Sequence, residues 1–208
     1  RWREVCEAGR EERRGDPLDW RYDQFFSHPP AGTWLLDLGC CDGTFVRLAA
    51  ARYMAVGVDN DARVARTRGF DGHGIVNADI HEYLLGIGDD YFDVVTLFDV
   101  LEHAEDPALL LERVKRVLRV GGHVAITLPN ADRPMPWGRE SHDYPPHHLT
   151  RWTPAALRLF LERRGFTVVR QEAGHLRLRY LSDHFFFHRR VPALKRWMPR
   201  REPREVKL

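Results

Sequence analysis

The chain has 208 residues, of which 43% are hydrophobic and 30% charged, a balance that fits one globular domain with a small appendage and excludes a disordered or collagen-like chain. Thirty-two basic against thirty acidic side chains leave a formal charge of +2, so no global field selects nucleic acid as a partner. No uncharged apolar run approaches the roughly 20 residues of a membrane span, and the first residues are rich in Arg and Glu without an apolar targeting core.

Residues 1–33 read as a mixed-charge preamble, predicted as a helical extension. Trp20, Tyr22, Phe25 and Phe26 form an aromatic edge in it, and His28-Pro29-Pro30 ends any helix that carries them. Strand–helix alternation starts at Trp34. Trp34-Leu35-Leu36-Asp37-Leu38 is a buried strand, and a turn through Gly39 and Gly43 leads into a helix over 44–51. A second strand runs over 54–59, a helix suits 62–68, and a short third strand over 74–77 precedes Asp79. Residues 92–98 make a strong fourth strand. Asp106-Pro107 opens a helix with Leu110, Val114, Val117 and Leu118 at helical spacing, and Gly121-Gly122 stops it. The fifth strand covers 123–128.

Residues 129–152 break the rhythm as a long loop rich in Pro and His at the carboxyl end of strand five, the end where open α/β sheets carry their chemistry. Thr153-Pro154 starts a helix that runs to Arg164, and 166–169 and 175–180 are expected as two closing strands. Beyond them, Val191, Leu194, Trp197 and Met198 recur at helical spacing among cations. Eight Arg or Lys and two Glu fall within 185–208. This aromatic and basic segment reads as a helix packed on its own domain, or as a membrane-surface or dimer contact through 185–198. Cys40 and Cys41 are adjacent and no CxxC pair exists, so a reducing compartment is expected and no structural metal. The expected location is cytoplasmic, with peripheral membrane contact as the variant.

Near-continuous apolar strands between amphipathic helices predict a parallel sheet covered on both faces. Three of its strand ends surround one glycine turn with Asp59, Asp79 and Phe98, an arrangement that suits a nucleoside-bearing cofactor whose ribose hydroxyls meet an acid.

With these motifs in order, the chain resembles the class I S-adenosylmethionine-dependent methyltransferases, nearest the branch of quinone-biosynthesis O-methyltransferases. The resemblance covers residues 34–169 and rests on Leu36-Asp37-Leu38-Gly39-Cys40-Cys41-Asp42-Gly43, Val56-Gly57-Val58-Asp59, Asn77-Ala78-Asp79-Ile80, the stretch from Phe92 through Leu101-Glu102-His103 to Pro107, and Leu118-Arg119-Val120-Gly121-Gly122-His123. It implies an α/β, Rossmann-like open sheet of about seven strands, mostly parallel with an antiparallel last strand, within a domain over 34–184. It further implies S-adenosylmethionine as cofactor. Asp37, Gly39, Cys40, Cys41 and Gly43 then meet the methionine part, Asp59 and Asn60 the ribose and adenine side, and Asp79, Ile80 and Phe98 the remaining wall. The family usually has glycine where this chain has Cys41, and a negative φ is expected there, with only the clearance changed.

The function expected from these readings is in-line methyl transfer to a small-molecule acceptor, most naturally an oxygen. Methylation of RNA or another macromolecule, a silent cofactor-binding domain, and a nicotinamide oxidoreductase are the alternatives. A hydroxyl acceptor needs a base, and His147, His148 and His103 are the candidates. Asp99, Glu102 and His103 stand at i, i+3 and i+4 and share a face if the segment is helical. Small-RNA 2′-O-methyltransferases of the same superfamily hold a divalent ion with a similar set and a later histidine, but here the first acid is the shorter Asp99. No metal is therefore expected, and nucleic acid is not the expected partner.

Overall fold

The structure, a computed structural model, describes residues 19–61, 74–133 and 143–173. Five parallel strands form one sheet in the order β3-β2-β1-β4-β5. They are β1 (Trp34–Leu38), β2 (Met54–Asp59), β3 (Gly74–Asn77), β4 (Phe92–Phe98) and β5 (Leu118–Thr127). Helices α1 (Trp20–Ser27), α2 (Thr44–Ala49), α3 (Ile80–Gly86), α4 (Pro107–Val117) and α5 (Pro154–Glu162) accompany them. A 3₁₀ turn, Leu101–His103, follows β4.

The alternation of β1 explains why both faces need cover. Leu35 packs on one side with Phe45, Val46 and Ala49 of α2 and with Tyr22 and Phe25 of α1. Leu36 and Leu38 point to the other, into a core with Leu84 of α3, Leu110, Leu111 and Val114 of α4 and Leu161 of α5. Burial on both faces is what makes these strands continuous apolar runs rather than alternating ones. β1 pairs with β2 on one side (Leu36 opposite Val56) and with β4 on the other (Leu36 opposite Val95). The chain order therefore reverses between β1 and β4, which opens a crevice beyond their carboxyl ends.

Several expectations change. The sheet has five strands among the described residues, all parallel, not seven with an antiparallel last one. Residues 166–169 follow α5 without pairing into a strand, with Val169 81% exposed. The expected strand at 175–180, the helix at 62–68 and the segment 185–208 lie outside the described residues. β5 begins at Leu118, where a register shift opposite Phe92 and Val94 absorbs the glycine pair. α3 was not expected at all. It is short, with Leu84 its buried residue, and Asp79 caps it by accepting the amides of His81 and Glu82.

Candidate active site

Two constraints shape the turn after β1. Gly39 (φ 73°) and Gly43 (φ 72°) take left-handed backbone, which a side chain would strain, and a Cβ on Gly39 would stand 2.6 Å from Val100 Cγ2. Cys41 is also left-handed, at φ 49°, against the expected negative value. The reason is its amide, which donates to Asp59 Oδ2 at 2.8 Å. A charge-assisted hydrogen bond thus holds a non-glycine residue where glycine would sit at lower cost.

Asp59 at the end of β2 is 2% exposed, and its other oxygen accepts the Asp61 amide at 2.8 Å. Its first role is therefore to pin the glycine turn to β2. Asn60 beside it is exposed. Asp37 is equally buried and accepts from Thr96 Oγ1 at 2.6 Å. Burial pushes its carboxyl up to about 7, against the opposing pull of the Thr96 bond. Cys40 is buried, and burial together with the neighbouring acids raises its thiol above the ordinary range, so it acts as apolar filling. Asp79 is exposed at the α3 N-terminus with half-buried Ile80 next to it. The Phe98 ring lies edge-on to Phe45, with centroids 4.8 Å apart, beneath Tyr22 and Phe25 of α1. The ten residues expected at the cofactor thus gather at the carboxyl ends of β1, β2 and β4 and just beyond β3.

Sequence reasoning missed Arg21. Its guanidinium on α1 hydrogen-bonds Asp99 just after β4 and takes Asp19 through Nε at 3.0 Å. Burial works against this cation, but Asp19 and Asp99 outweigh it and hold the guanidinium above its ordinary pKa. Asp99 also accepts from Thr127 Oγ1 at 3.0 Å, so one carboxylate joins α1, β4 and β5. With φ at 55°, Asp99 is not helical, and the expected shared face with Glu102 and His103 does not form.

Glu102 and His103 instead meet the returning loop. The Glu102 carbonyl accepts the amides of Leu149 and Thr150 at 2.8 and 3.1 Å. The residue is 1% exposed, and neither carboxylate oxygen has a hydrogen-bond partner. Burial, reinforced by Asp99, pushes that carboxyl up to about 8. His103 Nδ1 donates to the His147 carbonyl at 2.7 Å, and its Nε2 lies 4.0 Å from Glu102 Oε1. The His103 and His148 rings meet edge to face with centroids 4.9 Å apart. Burial lowers the pKa of both imidazoles, which favours neutral rings able to accept a proton. Of the three expected bases, His103 and His148 are brought together, whereas His147 enters the cluster through its carbonyl. Asp143, also missed, is buried, pairs with Arg133 Nη2 at 2.5 Å and stands 3.8 Å from His148 Nδ1. Glu102, Pro129, Ala131, Arg133, His148 and Arg151 face a common small recess.

Residues 10–171 match the family described as "Methyltransferase domain". The chain belongs to that family. It is 34% identical over 148 residues to a probable S-adenosylmethionine-dependent methyltransferase of Mycolicibacterium smegmatis, covering 70% of this chain and 56% of that protein. It is 29% identical over 123 residues to a ubiquinone biosynthesis O-methyltransferase of Ralstonia nicotianae (51% and 46% covered). It is 28% identical over 169 residues to a tRNA U34 carboxymethyltransferase of Aeromonas salmonicida (73% and 50% covered). The chain spans about half the length of the curated relatives it matches. The fold is shared with a complex between the Haloferax volcanii Trm112 methyltransferase activator and a methyltransferase, at TM-score 0.63, 23% identity, and 83% and 76% coverage.

This is an S-adenosylmethionine-dependent methyltransferase domain, and S-adenosylmethionine is its cofactor. The crevice fits that group, since the turn excludes side chains at Gly39 and Gly43 and the buried Asp37 carboxyl suits a cationic ligand. The match to the quinone-biosynthesis branch is partial and does not single that branch out. The expectation that set nucleic acid and metal aside is corrected. One relative is named for tRNA modification, and Glu102, His103 and His148 bring metal-competent atoms within 4.8 Å of one another. Among the described residues, no helix is long and apolar enough to cross a membrane.

Proposed function

We propose that this domain methylates a hydroxyl oxygen of an RNA acceptor. The observation that carries the oxygen is the cluster of buried Glu102 with half-buried His103 and His148, beside the loop that follows β5. A nucleophile that must shed a proton needs a neutral imidazole or carboxylate nearby, whereas an amine lone pair does not. Support for RNA comes from the similarity to the tRNA-modifying relative and from Arg151, an exposed cation beside the recess, of the kind that meets phosphate.

When bound, S-adenosylmethionine supplies an electrophilic methyl group on sulfur. The residues proposed to hold it are Asp37 and the backbone of Gly39, Cys40, Cys41 and Gly43 at its amino-acid end, Asp59 and Asn60 at the ribose, and Asp79, Ile80 and Phe98 around the base. A carboxylate has about four acceptor sites, so Asp59 can keep its two amides and still receive a sugar hydroxyl. His103 or His148 takes the acceptor proton.

The similarity to ubiquinone biosynthesis O-methyltransferases favours a second reading, a phenolic hydroxyl. Transfer of labelled methyl groups into total RNA and into a panel of catechols separates the two. Nuclease-sensitive label that survives mild base, as an ether does, is the expected result. Label in the catechols alone moves the assignment to the second reading, and label in neither removes both.

A further inference from the structure

We propose that Asp143 is a positioning residue for His148: held by Arg133, it fixes the imidazole with its proton on Nδ1 and its lone pair on Nε2. Asp143 is buried, and its two carboxylate oxygens face different groups. Oδ2 takes Arg133 Nη2 at 2.5 Å, and Oδ1 stands 3.8 Å from His148 Nδ1. The ion pair keeps this carboxylate charged inside the protein, and a charged carboxylate is a stronger acceptor than a neutral one. A hydrogen bond spans about 2.7–3.2 Å, so a turn of the ring by roughly 1 Å closes the gap. Such contacts are commonly long in an empty site and tighten when substrate arrives.

The backbone on both sides of the pair is already fixed, which leaves the rotation and tautomer of the ring to be set. The amides of Leu149 and Thr150, directly after His148, go to the Glu102 carbonyl at 2.8 and 3.1 Å, and the His148 amide goes to the Tyr144 carbonyl at 3.3 Å. On the Arg133 side, the Arg133 amide takes the Asn130 carbonyl at 3.1 Å, and the Ala131 amide takes the Trp152 carbonyl at 2.8 Å. The imidazole itself lies edge to face with His103. The tautomer of a neutral imidazole follows from the partner of one of its nitrogens. Free histidine prefers its proton on Nε2, so an acceptor at Nδ1 reverses the ordinary preference.

The use of this orientation rests on the oxygen-transfer reading above; the orientation itself does not. The Nε2 lone pair takes the hydroxyl proton of the acceptor as the O–H bond breaks. The oxygen forms its bond to the methyl carbon, and the carbon–sulfur bond breaks with its electron pair left on sulfur. The Asp143 carboxylate then offsets the charge of the imidazolium, until the proton passes to solvent. Asparagine at 143 would reverse the arrangement. Arg133 has donors only, so the amide oxygen turns to it and the amide NH₂ faces His148. That NH₂ needs an acceptor at Nδ1, which moves the ring proton to Nε2 and removes the base.

The test is nitrogen-15 NMR of the histidine rings of the full chain at pH 8, where burial keeps His148 neutral. His148 is identified by the signals that His148→Gln removes. The proton is expected on Nδ1 in the natural chain and on Nε2 in Asp143→Asn. In the same variant kcat for the acceptor that takes label is expected to fall at least about tenfold, with KM within about twofold. Circular dichroism and affinity for the demethylated cofactor should stay unchanged. A proton on Nε2 in the natural chain, or the same tautomer in both proteins, overturns the proposal. Should Asp143→Asn fail to fold, the natural spectrum decides alone. The expected tautomers without methylation of RNA or catechols uphold the positioning and defeat the functional reading. A reversed tautomer with undiminished kcat shows that His148 is not the base and overturns the catalytic use of the pair.

Discussion

The guanidinium of Arg21 on α1 grips the carboxylate of Asp99 at the end of β4, 78 residues away in the chain. This pair secures the aromatic helix over the crevice, where Tyr22 and Phe25 cover Phe45 and Phe98. Arg21→Ala leaves two carboxylates facing each other without the cation, so it is expected to cost about 2–4 kcal/mol in urea unfolding. Asp99→Asn should cost less, since that side chain is 40% exposed and its amide oxygen still accepts from Arg21. Equal losses for the two variants would show that the pair does not secure α1.

Asp37 makes stability depend on pH in a stated direction. Its carboxyl titrates near 7 in the fold, against 3.8 when unperturbed. In that interval the unfolded chain holds fewer protons than the folded one, so stability falls as pH rises from about 4 to 7 and stays low above it. Three pKa units correspond to a ceiling of roughly 4 kcal/mol. Asp37→Asn keeps an acceptor for Thr96 and removes the titration. Unfolding curves at pH 5 and pH 8 should therefore diverge more for the natural chain than for the variant; parallel behaviour would show that Asp37 is ionised in the fold at both values.

Cys41 stores backbone strain that glycine would release. A left-handed non-glycine residue costs roughly 1–2 kcal/mol, of which the greater chain entropy of glycine in the unfolded state gives back about 0.4–1. Cys41→Gly is expected to stabilise the domain by up to about 1 kcal/mol and leave the amide bond to Asp59 in place. Cys41→Val, branched at Cβ, is expected to destabilise it by about 2 kcal/mol. Thermal unfolding of the pair checks both signs, and a Val variant as stable as the Gly variant would mean that φ is relaxed in solution.

How much of this could be read from the residues follows from the range of each interaction. β1, β2 and β4 announced themselves because sheet strands buried on both faces are largely apolar, and Asp106-Pro107 announced α4 because proline at a helix start gives up no hydrogen bond. α3 escaped because it buries little beyond Leu84, and at its capping residue, Asp79, a ligand contact was favoured over a cap. That the candidate histidines lie near strand ends was legible from the rule that chemistry gathers there, but that His103 meets His148 rather than His147 was not, since it depends on which ring faces inward. Arg21 had no local signal, because the acid that gives it meaning lies 78 residues on. The φ of Cys41 was misjudged for the same reason: the hydrogen bond from Asp59 that enforces it is tertiary.

Asp59 has two duties, and substitutions can tell them apart. Its carboxylate holds the amides of Cys41 and Asp61, and it is the residue proposed to receive the ribose. Asp59→Ala strands two amide donors and is expected to lose about 2–3 kcal/mol of stability together with cofactor binding. Asp59→Asn retains one acceptor oxygen, so part of the turn survives while the charge that favours two sugar hydroxyls is gone. For Asn we expect a stability loss near 1 kcal/mol and a fall of at least tenfold in calorimetric affinity for the demethylated cofactor. A variant that unfolds earlier yet binds as tightly as the natural chain would confine Asp59 to holding the turn and send the ribose contact elsewhere.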